Sequence, residues 1–275
     1  MASYRYNTVD VFTATPMKGN ALAVVHDATG LSDAAMQKFA HWTNLSETTF
    51  LLPTTNPAAD YNVRIFFPGG ELPFAGHPTL GTCHAWLAGR EHAGDVVTQE
   101  CGAGLVAIRR TPAGLAFASP PLVRSGPVDE RLVTELAGVL GISRGEIYDA
   151  QWVDNGPGWV AVRLESAEAV LAVRPRYADL DIGIVGPHPA GSAEAIEVRA
   201  FFPKDGALVE DPVTGSLNAS LAEWLLRTRQ LTAPYVARQG TALGRAGRVH
   251  VSQDGDGKIW VGGGTVTCVA GEVEL

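Results

Sequence analysis

Stretches in which apolar and polar residues alternate predict strands over much of this chain. In Tyr61–Ile65 and Ile196–Ala200 the alternation has a period of two, which is typical of a strand with one buried face. Gly, Pro, Asn or Asp residues bound the other short stretches, as is usual where strands end. Further strands are predicted at 20–26, 47–52, 104–109, 114–118, 158–164, 248–252, 258–262 and 265–270.

Other segments carry apolar residues at helical spacing. One follows Ser32 and another runs from Asp129 to Gly141, so both begin at a favourable N-cap residue. Two more follow a proline, which suits the first turn of a helix because its missing N–H is not needed there. We predict that these begin at Pro78 and Pro212, with His77 and Asp211 at or near the N-cap. Their apolar positions are Leu80, Cys83 and Leu87 in the first, and Leu217, Leu221 and Leu225 in the second.

The chain contains an internal repeat. Arg64–Pro68 recurs as Arg199–Pro203, and about ten residues later Pro78–Thr82 corresponds to Pro212–Ser216. Each copy consists of an alternating strand, a loop and a helix. The repeat predicts an α+β protein of two similar halves, residues 1–118 and 119–263, joined near the proline-rich segment 120–127. Residues 264–275 are expected to return to the first half as a final strand.

Duplicated halves suggest a pseudo-twofold arrangement with a cleft. If the two proline-initiated helices direct their N-termini into it, their unpaired N–H groups would bind an anion such as a carboxylate. The glycines Gly76, Gly81 and Gly215 would let a ligand approach the backbone closely. The alternative is that both copies are simply well-capped helices.

Composition narrows the function classes. The net charge of −8, without a run of five like charges, argues against a nucleic-acid partner. The N-terminal residues do not resemble a signal peptide, and no 18 consecutive residues are apolar, so we expect a cytoplasmic protein without a membrane partner. The three cysteines form no CxxC pair and are expected to be reduced, and the scattered histidines predict no metal site.

Three clusters carry residues suited to chemistry, and each also has an ordinary structural interpretation. Glu47, at the entrance of a predicted strand, is a candidate acid or base or else a solvated loop residue. His77 is a candidate polar group at a helix start, although histidine is not a favoured cap. Asp211 is a candidate in the same position of the second copy, where it would also serve as a good N-cap.

These clusters together resemble the signature of the PhzF family. The matching segments are Asn44–Thr48, Glu71–Gly81 and Glu210–Ser216, followed by Gln239–Gly240, Gly244–Arg248 and Val261–Gly263. The resemblance implies a diaminopimelate-epimerase-like fold of two domains, each an antiparallel sheet curled around a central helix, with the active site between them. It also implies a homodimer that needs no cofactor.

The resemblance further implies an isomerase that moves a proton on a small carboxylate-bearing substrate. Phenazine-pathway members act on trans-2,3-dihydro-3-hydroxyanthranilate. The glutamate matching Glu47 shuttles the proton, while residues matching His77, Asp211 and Ser216 bind polar groups and assist the transfer. Backbone groups of the matching motifs would hold the carboxylate. The residues that the resemblance implies for substrate binding are Ser46, Gly76, Thr79, Gly81, Gly215 and Ser216.

Three alternatives remain open from the sequence. A cofactor-dependent oxidoreductase would need a glycine-rich strand–turn–helix, whereas Gly262–Gly264 lies between two predicted strands. A binding protein could keep the fold and lose the chemistry. An amino-acid epimerase or racemase of the two-thiol type is disfavoured, because His77 and Asp211 stand where diaminopimelate epimerases carry cysteines, and Cys83 is interpreted as core packing.

Overall fold

The computed structural model describes residues 2–275, which form an α+β fold dominated by strands, as the sequence predicts. The chain divides into two compact units, one made of residues 1–118 and 262–275 and the other of residues 119–261.

The helices are α1 (Asp33–Thr43), α2 (Gly76–Leu87), α3 (Glu130–Leu140), α4 (Ala167–Ala172) and α5 (Gly215–Arg227). Short 3-10 helices lie at Arg144–Glu146 and Thr241–Leu243. The strands are β1 (Ser3–Val11), β2 (Asn20–Val25), β3 (Glu47–Leu52), β4 (Tyr61–Phe67), β5 (Gly70–Leu72), β6 (Val96–Cys101), β7 (Gly104–Thr111), β8 (Gly114–Ala118), β9 (Arg124–Pro127), β10 (Asp149–Asp154), β11 (Val160–Arg163), β12 (Ile182–Pro187), β13 (Ile196–Lys204), β14 (Ala207–Asp211), β15 (Tyr235–Gln239), β16 (Gly247–Gln253), β17 (Ile259–Gly263) and β18 (Thr265–Glu274).

In the first unit, strands surround helix α2, which contacts β1, β2, β3, β6, β8 and β18. Most of the helix is buried, so it forms the centre of this unit's core. The long strand β18 pairs antiparallel with β1 along its whole length, and β1 pairs on its other side with β2. Both ring nitrogens of His84 on α2 meet threonine hydroxyls of β18, at 2.9 Å from Thr265 and 3.0 Å from Thr267.

The sheet of the first unit is mainly antiparallel, as the resemblance implies, and it also contains two parallel pairs. Strand β2 runs parallel to β3, and β4 runs parallel to β6, while β3–β4, β4–β5, β6–β7 and β7–β8 are antiparallel. The parallel pairs follow from the connections, because α1 lies between β2 and β3 and α2 lies between β5 and β6. A chain that crosses through a helix returns in the same direction.

The second unit repeats this order of elements. Strand β11 runs parallel to β12 across α4, β12 pairs antiparallel with β13, and β13 runs parallel to β15 across α5. A separate apolar core beneath α3 and α4 includes Leu136, Leu140, Ile182 and Phe201. The two units thus share this order of strand pairing.

The two capped helices of the prediction are confirmed. The Ser32 side chain accepts a hydrogen bond from the backbone N–H of Ala35 at the start of α1. The Asp129 side chain does the same for Leu132 at the start of α3, which ends at Gly141 in the left-handed conformation. Ordinary capping chemistry therefore sets these ends.

Gly81 has a packing role that the sequence did not indicate. It lies in the second turn of α2, where backbone N–H groups donate within the helix and do not face a ligand. A Cβ at this position would lie 2.6 Å from Leu22 Cδ2 and 2.9 Å from Val11 Cγ2. The missing side chain therefore lets α2 approach β1 and β2 closely.

We predict that Gly81→Ala destabilises the protein by about 1–3 kcal/mol, the usual cost of overpacking a tight core. The measurement is the free energy of unfolding in urea. Gly138→Ala is the matched control, because Gly138 lies in α3 and a Cβ there would meet nothing within 4 Å. The control should be neutral or slightly stabilising, since alanine favours helix more than glycine does. Equal effects of the two substitutions would contradict this packing role.

Candidate active site

Glu47 is the first residue of β3, and the preceding turn determines its position. Helix α1 ends at Thr43, and the left-handed backbone of its C-cap Asn44 (φ 53°) redirects the chain so that β3 starts three residues later. Strand residues two apart share a face, so Glu47 lies on the same face as Thr49. The Thr49 hydroxyl accepts a 2.8 Å hydrogen bond from Thr82 of α2. Glu47 therefore lies on the face of β3 that packs against the central helix.

His77 lies in the first turn of α2 and is buried. The predicted helix start at Pro78 is wrong by two residues: the helix begins at Gly76 and its N-cap is Ala75, whose side chain makes no capping bond. The cause is local. Proline is tolerated anywhere in a first turn, because the N–H groups there have no partner within the helix. His77 is consequently inside the helix rather than its cap.

The structure brings Glu47 and His77 into contact. His77 Nε2 lies 3.2 Å from Glu47 Oε2, and the side chains are only 6% and 16% exposed. The contact is not aligned as a hydrogen bond, although both atoms are shielded from solvent. Burial lowers the pKa of His77 to about 3, so the imidazole is neutral at ordinary pH. The pair therefore combines a carboxyl group with a neutral imidazole in a largely dry setting.

The other predicted residues of the first unit lie near this pair in the chain. Ser46 directly precedes β3, and Gly76 is the buried first residue of α2. The buried Thr79 hydroxyl accepts a 3.0 Å hydrogen bond from Gln99 Nε2, and the Gln99 Oε1 accepts one of 3.0 Å from the Tyr61 hydroxyl. Thr79 is thus part of a structural network, and Gly81 serves packing as described above.

In the second unit, Asp211 ends β14 and lies four residues before α5 begins at Gly215. The predicted start of this helix at Pro212 is therefore wrong, as is the N-cap at Asp211, because Thr214 occupies that position. The Asp211 side chain instead accepts a 2.5 Å hydrogen bond from the Thr214 hydroxyl. The proline continues the loop here because β14 still pairs with β13 through Asp211.

A buried amide holds this loop in place. Gln239, at the end of β15, is fully buried and was noticed in the sequence only as part of a terminal motif. Its Nε2 donates to the Thr214 hydroxyl at 2.9 Å, and its Oε1 accepts from the Thr214 N–H at 3.0 Å and from Asn218 at 2.7 Å. With Gln239 donating to it, the Thr214 hydroxyl has its own proton available for Asp211. The network thereby favours Asp211 as a hydrogen-bond acceptor.

Ser216 is held by two residues that the sequence analysis missed. The indole Nε1 of Trp159 lies 3.0 Å from Ser216 Oγ, and Asn155 Nδ2 donates to the Ser216 carbonyl at 3.0 Å. Both come from the connection between β10 and β11. Their separation from Ser216 in the chain left no local signal that could have revealed them.

Among residues 2–275, no group of three or more His, Cys, Asp or Glu side chains is placed to hold a metal ion. No helix in the same range is long and apolar enough to cross a membrane.

Comparison with known proteins gives consistent matches over nearly the whole chain. The PhzC-PhzF family model, described as "Phenazine biosynthesis-like protein", matches residues 9–271. The trans-2,3-dihydro-3-hydroxyanthranilate isomerase of Pseudomonas aeruginosa is 35% identical over 269 residues, which covers 93% of this chain and 92% of that protein. Antisense-enhancing sequence 1 of Schizosaccharomyces pombe is 31% identical over 296 residues, with 99% of each chain covered. The crystal structure of a PhzF-family phenazine biosynthesis protein from Enterococcus faecalis superposes with a TM-score of 0.81 at 26% identity, covering 100% of both chains.

Two buried histidines predict that acid destabilises the protein. Burial lowers the pKa of His77 to about 3 and of His26 to about 4, against 6.5 for a free histidine. Between pH 6.5 and 4 the unfolded chain therefore binds protons that the folded protein does not. The penalty is absent above about pH 6.5 and grows as the pH falls, by about 1.4 kcal/mol per pH unit for each fully titrating histidine.

The measurement is the free energy of unfolding in urea at several pH values from 7.5 to 4.5. His26→Gln should unfold with a shallower pH slope than the unsubstituted protein, because the unfolded chain then takes up one proton fewer over this pH range. A free energy that stays constant from pH 7 to pH 5 would contradict the prediction.

Proposed function

This chain belongs to the PhzF family of isomerases, and we propose that it catalyses a hydrogen shift on a small carboxylate-bearing substrate, with Glu47 carrying the proton. The observation that carries the proposal is the 3.2 Å contact between Glu47 Oε2 and His77 Nε2, shielded from solvent. A positioned acid or base of this kind contributes about 10²–10⁴-fold to a proton transfer.

The chemistry of the pair supports Glu47 as the proton carrier. An imidazole whose pKa is about 3 is a poor proton acceptor at neutral pH, so His77 does not compete for the substrate proton. In its neutral form His77 still has one N–H with which to orient a neighbouring oxygen. We assign proton transfer to the Glu47 carboxylate and orientation of that carboxylate or of the substrate to His77.

A single carboxyl group suffices for the proposed reaction. The Glu47 carboxylate removes a proton from one substrate carbon, so that this C–H bond breaks and its electron pair shifts into the adjacent double-bond system. The resulting carboxylic acid then returns a proton to a different carbon, which restores the carboxylate. No net proton is gained or lost, and protein side chains carry both steps in this proposal.

In the second unit, we propose that Asp211 and Ser216 bind polar groups of the substrate. The Thr214 hydroxyl donates to Asp211 Oδ2, and the buried Gln239 fixes that hydroxyl. A carboxylate held as an acceptor suits a substrate amino or hydroxyl group. That the protein works as a homodimer in the cytoplasm stays a prediction from the sequence.

The name of one relative indicates which substrate to test first. The P. aeruginosa relative is named for its action on trans-2,3-dihydro-3-hydroxyanthranilate, a compound with carboxylate, amino and hydroxyl groups. The S. pombe relative, at similar identity, has a name that describes no reaction. We propose trans-2,3-dihydro-3-hydroxyanthranilate, or a compound with the same arrangement of groups, as the substrate.

The thiol-based racemase alternative finds no support in the state of Cys83. This thiol is buried in α2, and burial raises its pKa to about 12. A thiol in that state is almost entirely protonated at neutral pH and is a poor base. Cys83 is better explained as part of the core around α2.

Substituting Glu47 tests the proposal directly. Glu47→Gln keeps the size and polarity of the side chain but removes the basic carboxylate, so kcat with trans-2,3-dihydro-3-hydroxyanthranilate should fall at least about a hundredfold. KM should change little, since the substitution leaves the binding groups in place. Product formation is followed by absorbance and chromatography.

Two control variants accompany this substitution. Glu91→Gln replaces an exposed glutamate of the same unit and should leave kcat unchanged. Cys83→Ala should also keep its turnover, as expected of a packing residue. A fully active Glu47→Gln enzyme would refute the mechanism, whereas an inactive Cys83→Ala enzyme that still folds would favour a thiol mechanism.

The fate of the transferred hydrogen gives a second, independent test. If one shielded carboxyl group both removes and returns the proton, part of the substrate hydrogen should reach the product when the reaction runs in deuterium oxide. Mass spectrometry of the product measures this fraction. Complete exchange with solvent at early times would argue against a single shielded carrier and for a second acid.

A further inference from the structure

We propose that Trp159 and Asn155 are positioning residues that make the Ser216 hydroxyl a hydrogen-bond donor to an acceptor oxygen of the substrate. The inference rests on the proposed function, in which Ser216 binds the substrate. It concerns the β10–β11 connection, residues 155–159, to which the family resemblance assigned no role.

The direction of the Ser216 hydroxyl follows from its partner. An indole N–H can only donate, so Trp159 Nε1, at 3.0 Å, must occupy a lone pair of Ser216 Oγ. A serine hydroxyl has one proton, and that proton then points elsewhere. Ser216 consequently keeps its own proton to donate, and a carboxylate, carbonyl or hydroxyl oxygen is the ligand group that would accept it.

The backbone of Ser216 is held from the same connection. Asn155 Nδ2 donates to the Ser216 carbonyl at 3.0 Å, which fixes the orientation of this amide. Ser216 is the second residue of α5, so the contact also anchors the beginning of that helix. Two residues four apart in the chain therefore hold the side chain and the main chain of the same serine.

The connection itself is rigidly built. Asp154 Oδ1 accepts hydrogen bonds from the N–H groups of Gly156 and Gly158, both at 2.7 Å. These glycines have φ values of 140° and 105°, which other residues rarely adopt. The turn thus sets the positions of Asn155 and Trp159 before any ligand binds, which is the requirement for a preorganised site.

A purely structural role for Trp159 must be distinguished from this one. Trp159 is only 4% exposed, and a buried indole N–H needs an acceptor whatever its function. If Ser216 served only as that acceptor, removing the indole N–H would affect stability but not substrate affinity. A comparison of Trp159→Phe with and without the Ser216 hydroxyl separates the two roles.

The experiment uses steady-state kinetics with trans-2,3-dihydro-3-hydroxyanthranilate. Trp159→Phe keeps an aromatic ring but removes the N–H, and it should raise KM about three- to tenfold, the range for one lost hydrogen bond, while kcat changes less than twofold. Ser216→Ala should raise KM at least as much. In the Ser216→Ala background, Trp159→Phe should have no further effect on KM, because the two residues act through one contact.

Trp260→Phe is the matched control. Trp260 is also 4% exposed and lies in the same unit, and its Nε1 donates to Asp254 Oδ2 at 2.9 Å. This control should leave KM unchanged. An equal rise in KM from Trp159→Phe in both serine backgrounds would overturn the positioning role, as would an equal rise in the control.

The NMR signal of the indole N–H tests the contact between Trp159 and Ser216 without an activity assay. In protein labelled with ¹⁵N-tryptophan, the indole N–H signal that disappears in Trp159→Phe should shift in Ser216→Ala and exchange faster with solvent. An unmoved signal would overturn the contact itself. If Trp159→Phe does not fold, Asn155→Ala should raise KM in the Ser216 background. An unsubstituted enzyme without activity would instead refute the proposed function, and the substrate part of this inference with it.

Discussion

The close packing of α2 against β1 and β2 is the constraint on which the Glu47–His77 pair depends. Gly81 allows the helix to approach these strands, and the Thr82–Thr49 hydrogen bond ties the same turn to β3. With the helix fixed at both places, its first turn lies beside the first residue of β3. The geometry of the Glu47–His77 contact therefore follows from how the sheet encloses the central helix.

The two copies of the repeated motif adopt different local structures although their sequences are similar. In the first, the helix begins before its proline, so His77 is buried in the first turn. In the second, the helix begins three residues after its proline, so Asp211 remains in a loop that Gln239 and Thr214 hold. The same chain pattern thus places a neutral imidazole in one unit and a hydrogen-bonded carboxylate in the other.

Local chemistry made part of this structure predictable. The caps at Ser32 and Asp129 and strands such as β3 and β8 follow from short-range patterns, and the family signature identified Glu47 and His77 as candidates. Helix α4, with six residues, is too short to show a helical period. The helix starts near Pro78 and Pro212 were misplaced because proline is compatible with both a first turn and a loop. The contacts of Gln239 and Trp159 join residues far apart in the chain, and no local pattern encodes them.

The pairing of β18 with β1 has a consequence for the order of events during synthesis. The second unit is continuous in sequence, whereas the first is completed by residues 262–275. Until those residues leave the ribosome, β1 has an unpaired edge, and the faces of β1 and α2 that β18 covers are exposed to water. At about 5–20 residues per second, the second unit has time to fold first. The nascent first unit therefore has an unpaired strand edge until its last strand is synthesised, and an edge of this kind is a template for pairing with other chains.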